Sequence, residues 1–121
     1  MPKCLIVDDS NVIRMLLSKI MGNFGYEVLE AEDGEEVLKI FDSEYPELII
    51  LDWYLPRMSG IDALIKLRNM KDVKRPYVIF CTSVVDVIKM REALMAGADD
   101  YIMKPFDEEI IASKLSILGL I

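Results

Sequence analysis

The sequence contains no histidine, and it has only two cysteines and one tryptophan among its 121 residues. Without histidine the chain lacks the commonest general base and the commonest zinc ligand, and it cannot form a histidine-based catalytic triad. Any chemistry must therefore use carboxylates, hydroxyls and lysines. Cys4 and Cys81 each lie inside an apolar run, and no CxxC motif surrounds them. We expect two buried, reduced thiols, not a metal cluster or a redox pair.

Positive charge is also scarce. The chain has 14 lysines and arginines against 21 aspartates and glutamates, which gives a formal net charge of -7. No block of basic residues offsets this charge, so the long-range field of the protein repels phosphate backbones. Direct binding to nucleic acid is therefore not expected.

Long hydrophobic runs are missing as well. No segment approaches the roughly 18 consecutive apolar residues that indicate a membrane-spanning helix. The N-terminal stretch "MPKCLIVDDS" reaches a pair of aspartates after a short apolar run, which does not fit a secretory signal peptide. These features predict a cytoplasmic protein that does not bind membranes.

Short apolar runs alternate with stretches of helical period, a pattern typical of repeated βα units around a parallel sheet. The length suits one domain, and 53% apolar residues are enough to fill its core. The first, third and fourth runs are continuously apolar, as in strands covered on both faces, whereas the second alternates and suits an edge. The five predicted strands are residues 3–8, 26–31, 47–52, 77–82 and 100–104.

Amphipathic stretches follow these strands and predict five helices. In the first helix we expect the apolar side chains to lie on one stripe, with Asp9 or Ser10 as the N-cap. The residues of this stripe are Ile13, Leu16, Leu17, Ile20 and Phe24. Gly97 is the expected C-terminal cap of the fourth helix. The predicted helices span residues 10–24, 34–43, 60–69, 85–97 and 107–118.

Four polar residues stand at the ends of four predicted strands: Asp8, Asp52, Thr82 and Lys104. Taken singly, each has an ordinary explanation as a helix cap, a strand end or a solvated lysine. The carboxyl ends of parallel strands share one edge of the sheet, where α/β proteins bind ligands. Together with Asp9, the two aspartates would place three carboxylates beside a hydroxyl and an ammonium. Such like charges repel unless a cation joins them.

An all-oxygen site of this kind favours Mg²⁺ or Mn²⁺ over zinc, because hard cations take carboxylate, carbonyl and water ligands. The metal and Lys104 would also neutralise the charge of a phosphoryl group. Asp52, at the end of a central strand, is the best candidate nucleophile, since a carboxylate can form an acyl phosphate.

The motifs that carry these residues are "VDDS", "LDWYLPRMSG", "CTS" and "AGADDYIMKPF". In this order and at these intervals, the chain resembles the receiver domain of two-component response regulators, most closely the stand-alone chemotaxis-regulator type. The resemblance covers essentially all of residues 1–121 and implies one receiver domain. It also implies a doubly wound, flavodoxin-like (βα)5 sandwich with a parallel sheet of strand order 2-1-3-4-5.

The resemblance implies a role for each acidic residue. Asp52 would accept a phosphoryl group from a phosphohistidine on a histidine kinase or a phosphotransfer protein. Asp8, Asp9, Asp52 and the backbone carbonyl of Tyr54 would form the Mg²⁺ site. The protein would promote its own phosphorylation and slow dephosphorylation, and would otherwise not be an enzyme.

The same resemblance implies a switch. Lys104, followed by a cis peptide bond to Pro105, would contact a phosphoryl oxygen. Thr82 and Ser83 would lie at the phosphoryl group, with Thr82 hydrogen-bonding to it, and Tyr101 would turn inward. The fourth helix, fifth strand and fifth helix would then present a changed surface to a downstream effector protein. We expect a monomer or a weak, phosphorylation-dependent dimer.

Two other functions fit parts of the sequence. The chain could be a receiver fragment of a larger regulator or hybrid kinase. A small phosphatase with an aspartyl nucleophile fits less well. Such enzymes carry a second acid two residues after the nucleophile, and this chain has Tyr54 at that position. The Tyr54 side chain itself has two interpretations, a shield that slows hydrolysis or a surface aromatic without a kinetic role. Trp53 is expected to be partly exposed.

The apolar C-terminal segment "SILGLI" also allows two interpretations. In one, Leu115 and Leu118 cover the sheet. In the other, the exposed remainder joins Met90, Met95 and Ile117 in a docking or dimer surface.

Overall fold

The computed structural model describes residues 1–83 and 86–121, which contain a five-stranded sheet with strand order β2-β1-β3-β4-β5. Every neighbouring pair of strands is parallel. The strand order implied by the family resemblance is confirmed, and each predicted strand boundary lies within one residue of the observed one. The strands are β1 (Lys3–Val7), β2 (Glu27–Ala31), β3 (Leu48–Leu51), β4 (Tyr77–Thr82) and β5 (Asp100–Met103).

The helices begin at side chains that accept a hydrogen bond from the first turn, as N-caps do. Ser10, not Asp9, caps the first helix. Val85, where the fourth helix was predicted to start, lies outside the described residues. Gly97 follows the end of that helix with φ +111°, a conformation that favours glycine. The helices are α1 (Asn11–Asn23), α2 (Gly34–Glu44), α3 (Gly60–Arg68), α4 (Val87–Met95) and α5 (Glu108–Ile117).

Alternate residues of the central strands point to opposite faces of the sheet and form two cores. On β1, Leu5 and Val7 pack with residues of α2, α3 and α4, whereas Cys4 and Ile6 pack with residues of α1 and α5. This arrangement is the predicted doubly wound sandwich. Both cysteines are buried and free, as predicted, and Cys81 belongs to the same core as Cys4.

The prediction for Leu16 was wrong. Leu17 is buried, but Leu16 is 42% exposed. The buried stripe of α1 is turned towards Arg14 and Met21, which leaves Leu16 at its edge. Hydrophobic periodicity could not predict this rotation of α1, because Arg14 is a charged residue and its burial does not appear in the apolar pattern.

At the C-terminal end, Leu115 is buried and Leu118 packs partly buried against the same core. These two residues therefore cover the sheet, as the first interpretation of this segment expects. Met95 and Ile117 are well exposed, whereas Met90 packs against the other core. Throughout residues 1–83 and 86–121, no helix has both the length and the apolar character needed to cross a membrane.

Candidate functional site

The three predicted carboxylates meet at the carboxyl edge of the sheet. Val7 pairs with Leu51, so the residues that follow β1 and β3 stand side by side. The backbone N–H of Asp52 donates to the carbonyl of Val7 at 3.0 Å, which extends this pairing by one residue. Carboxylate oxygens of Asp8, Asp9 and Asp52 lie within 4.8 Å of one another. The sheet register therefore creates the acidic cluster.

Two of these carboxylates are buried and oriented by nearby backbone. Asp8 is 2% exposed and Asp52 is 8% exposed, whereas Asp9 is open to solvent. The N–H of Ser10 donates to Asp8 Oδ1 at 2.9 Å, and the N–H of Trp53 donates to Asp52 Oδ1 at 2.7 Å. Each of these bonds uses one oxygen and fixes the direction of the other.

Lys104, directly after β5, occupies the space between the two buried acids. Its Nζ donates to Asp8 Oδ2 at 2.6 Å and to Asp52 Oδ2 at 3.1 Å. Its backbone N–H donates to the carbonyl of Thr82 at 3.0 Å, which anchors it beside the end of β4. The peptide bond between Lys104 and Pro105 is cis, as the resemblance implied.

Burial and charge act in opposite directions on this pair. Burial raises the pKa of Asp52, the charge of Lys104 and a hydrogen bond from Thr82 lower it, and the pKa stays above its ordinary value. For Lys104, burial lowers the pKa, but the hydrogen bond to Asp8 and the two carboxylate charges outweigh this effect and raise it. Lys104 is therefore a permanent cation at neutral pH.

The predicted switch residues surround the acidic cluster. Thr82 is the last residue of β4 and is buried, and its side chain hydrogen-bonds to Asp52. Ser83, next in the chain, is exposed. Tyr101 on β5 already lies inward, with its ring centroid 6.3 Å from that of Phe80.

The expected partial exposure of Trp53 was wrong, because its side chain is only 5% exposed. The indole packs against Phe80 with ring centroids 5.3 Å apart, so it belongs to the core below the site. Tyr54 points the other way and is 57% exposed. The buried indole, next to Asp52 in the chain, holds the loop after β3 in place.

Lys89 is a site neighbour that the sequence did not indicate. From α4, its Nζ donates to the Tyr54 hydroxyl at 2.7 Å and lies 5.0 Å from the Tyr54 ring centroid. The same ammonium lies 5.6 Å from the Trp53 ring. Tyr54 thus links the loop after β3 to α4. No sequence pattern could reveal this contact, which joins residues distant in the chain.

Arg14 is a second residue missed by sequence reasoning. Its guanidinium is buried on α1 and donates from Nη1 to the backbone carbonyl of Asp8 at 2.6 Å. It also pairs with Glu30 and Glu32, at the end of β2. The available signal was a basic residue beside the apolar stripe of α1.

Gly60 allows α3 to start against the backbone of Asp52. A Cβ atom at this position would lie 2.0 Å from the carbonyl oxygen of Asp52. The Gly60 N–H also donates to the carbonyl of Trp53 at 2.8 Å. Only glycine permits this approach without displacing the loop.

The donor set fits a hard divalent cation. The converging atoms are carboxylate oxygens, with no histidine or thiolate among them. Two of the three acids are buried, and both pair with the ammonium of Lys104. Mg²⁺ is commonly bound in proteins by one or two carboxylates together with waters. The arrangement can therefore combine a metal, an ammonium and a hydroxyl around one buried carboxylate.

Comparisons with known proteins agree with this geometry. The family model described as "Response regulator receiver domain" matches residues 4–116. Chemotaxis protein CheY1 of Helicobacter pylori (strain ATCC 700392 / 26695) is 35% identical over 118 residues, which are 96% of this chain and 95% of that protein. The structure of the chemotaxis response regulator CheY4 of Vibrio cholerae superposes with a TM-score of 0.89 at 31% identity, covering 98% of each chain.

A second group of relatives is longer. The probable transcriptional regulator ycf27 of Porphyridium aerugineum is 38% identical over 113 residues. The match covers 93% of this chain but 46% of that protein, so the chain spans about half the length of these relatives.

Proposed function

Since the chain belongs to the response regulator receiver family of two-component systems, we propose that Asp52 accepts a phosphoryl group from a phosphohistidine on a histidine kinase or phosphotransfer protein. Residues 1–121 form one receiver domain in this proposal. The observation that carries it is the convergence of Asp8, Asp9 and Lys104 on a buried Asp52 at the carboxyl edge of the sheet.

Asp8, Asp9, Asp52 and the backbone carbonyl of Tyr54 would hold Mg²⁺, with Mn²⁺ as a substitute. When bound, the metal would neutralise charge on the phosphoryl oxygens. Asp8 and Asp52 are already oriented by backbone N–H groups, so little reorganisation is needed at these two acids.

In the transfer step, a carboxylate oxygen of Asp52 forms a bond to phosphorus as the phosphorus–nitrogen bond of phosphohistidine breaks. The electron pair of that bond leaves with the imidazole nitrogen. Lys104 offers an ammonium to one phosphoryl oxygen, and Thr82, with Ser83 beside it, offers a hydroxyl to another. The product is an acyl phosphate on Asp52. Its slow hydrolysis returns the carboxylate, and the protein acts on no other substrate.

The phosphorylated state is read out at the surface formed by α4, β5 and α5, which contacts a downstream effector protein. Thr82 and Tyr101 link this surface to the acceptor, because one ends β4 and the other lies on β5. A phosphoryl group that draws the Thr82 hydroxyl towards itself changes the packing beside Tyr101. We propose that the protein works in the cytoplasm as a monomer or a weak, phosphorylation-dependent dimer.

Acetyl phosphate and Mg²⁺ provide the direct test. We expect the wild type to gain about 80 Da, the mass of one phosphoryl group, in intact-protein mass spectrometry. Asp52→Asn should gain nothing. Asp62→Asn, a matched change at an exposed aspartate on α3, should behave as the wild type. Equal gain in wild type and Asp52→Asn, or no gain in the wild type, would refute the proposal.

The ycf27 relatives support a second arrangement, in which these residues are the receiver part of a longer regulator, because the match covers 46% of that protein. The acceptor chemistry is the same in both arrangements. In the second arrangement the effector would be part of the same polypeptide. The size of the endogenous polypeptide on a denaturing gel distinguishes them.

A further inference from the structure

Arg14 lies behind the acidic cluster and is unusual in being a buried arginine on α1. The residue is 7% exposed. Its Nη1 donates to the backbone carbonyl of Asp8 at 2.6 Å, its Nε to Glu30 at 3.1 Å and its Nη2 to Glu32 at 3.2 Å. Nη2 also donates to Asn11. One side chain therefore ties the start of α1 and the end of β2 to the backbone of Asp8.

The charge of Arg14 is compensated on its own side of the site. Glu30 and Glu32 both pair with the guanidinium and are themselves partly exposed. Arg14 touches the carbonyl of Asp8, whereas the carboxylate of Asp8 bonds to Ser10 and Lys104. The contact thus fixes the position of the backbone, and Arg14 occupies neither carboxylate oxygen of Asp8.

We propose that Arg14 is a positioning residue for the divalent cation site, acting through the backbone of Asp8. This inference rests on the proposed Mg²⁺ site. By its hydrogen bond to the backbone carbonyl of Asp8, Arg14 fixes the positions of the Asp8 and Asp9 carboxylates relative to Asp52. Partners that hydrogen-bond to metal-ligating side chains contribute about 10-fold to 100-fold to metal affinity, and we expect an effect of this order from a partner that holds the backbone of a ligand.

Lysine cannot replace arginine in this role. A guanidinium presents several N–H groups in a rigid plane, so it can bond a carbonyl and two carboxylates at once, whereas an ammonium is a compact point charge on a flexible stem. Arg14→Lys therefore keeps the positive charge and removes the geometry. A loss of metal affinity in this variant reports positioning, because the net charge near the site is unchanged.

Arg68 provides a matched control. It is also a partly buried arginine, donates to the backbone carbonyls of Gly97 and Pro76, and pairs with Asp99. These contacts lie near the amino end of β4, since Pro76 directly precedes Tyr77, and so at the sheet edge opposite to the acidic cluster. Arg68→Lys should lower stability in a comparable way without touching the metal ligands.

The test is a Mg²⁺ titration of the wild type, Arg14→Lys and Arg68→Lys, followed through the backbone amide NMR signals of Asp9 and Ser10. We expect the dissociation constant of Arg14→Lys to rise by about 10-fold or more and that of Arg68→Lys to stay at the wild-type value. Urea unfolding of all three proteins checks that the variants are folded during the titration.

A second readout needs no metal. In metal-free Arg14→Lys, the Ser10 amide, which donates to Asp8, should exchange with solvent faster than in the wild type, while in Arg68→Lys it should not. Unchanged Mg²⁺ affinity and unchanged Ser10 exchange in a folded Arg14→Lys would overturn the inference and leave the proposed function intact. Failure of the wild type itself to bind Mg²⁺ would overturn both.

Discussion

At Asp52, two opposing forces set the charge of the site. Burial favours the neutral acid, whereas Lys104 and Thr82 favour the carboxylate. Asp8 adds a second buried carboxylate that shares the same lysine. One ammonium therefore faces two buried acids and the exposed Asp9, and the cluster keeps an excess of negative charge that a divalent cation would balance.

The buried cysteines give a prediction that is independent of phosphorylation. The ordinary pKa of a thiol is 9.0; burial raises the pKa of Cys81 to about 12 and moves the pKa of Cys4 in the same direction. A raised pKa in the folded state stabilises the fold below the unfolded pKa, and this stability is lost as pH rises above about 9.

We therefore expect the free energy of unfolding to fall as the pH rises from about 9 towards about 12, by up to about 1.4 kcal/mol per pH unit for each thiol. Urea unfolding at several pH values measures this slope. Cys81→Ala should show a shallower slope than the wild type, because it lacks the buried thiol and also the contribution of the Cys81 charge to the raised pKa of Tyr101. Identical slopes would show that this thiol does not titrate as its burial requires.

Among the elements, the strands were predictable and several contacts between elements were not. Continuous apolar runs located β1, β3 and β4 to within one residue, because strands covered on both faces leave no polar position. The acidic cluster followed from the ends of these strands. Local periodicity does not encode how the helices pack on the sheet. This packing determines the rotation of α1, the burial of Trp53 and the contact between Lys89 and Tyr54.

The start of α3 gives the element-scale prediction. A Cβ at Gly60 would collide with the backbone of Asp52, whereas at Gly22, inside α1, a Cβ would meet nothing within 4 Å. Gly60→Ala should therefore lower the free energy of unfolding by about 1–3 kcal/mol. Gly22→Ala should raise it by about 0.5–1 kcal/mol, because alanine is the better helix former.

Urea unfolding of the two alanine variants measures both changes, and acetyl phosphate labelling shows whether Gly60→Ala also slows modification of Asp52. If Gly60→Ala had wild-type stability and labelling, the loop after β3 would be able to move away from the added methyl group without a loss of free energy of unfolding. The same measurement on Gly22→Ala confirms that alanine substitution of a glycine is not harmful in itself.

On the scale of the whole molecule, the proposed acceptor Asp52 and the proposed output surface belong to one five-stranded sheet that is packed between two cores. β4 and β5 pair through Thr82 and Met103, directly beside Lys104. The surface of α4, β5 and α5 exposes several apolar side chains, which suits a protein contact. These exposed residues are Val87, Ile88, Leu94, Met95, Met103, Ile110 and Ile117.

A ligand that binds only the folded state stabilises the whole domain, and Mg²⁺ should do so here. At a concentration 100 times its dissociation constant, the gain is about 2.7 kcal/mol, which should raise the unfolding temperature of a chain of this size by on the order of ten degrees. Scanning calorimetry with and without Mg²⁺, at equal ionic strength set by KCl, measures the shift.

Asp9→Asn removes a proposed ligand whose side chain is exposed, so the variant should fold normally and lose most of the shift. Asp62→Asn, which changes the net charge equally, should keep the whole shift. If Mg²⁺ raised the unfolding temperature of both variants by the same amount as that of the wild type, the ion would act through general charge screening. If Mg²⁺ instead stabilises the wild type and Asp62→Asn but not Asp9→Asn, the cation binds at the acidic cluster beside Asp52.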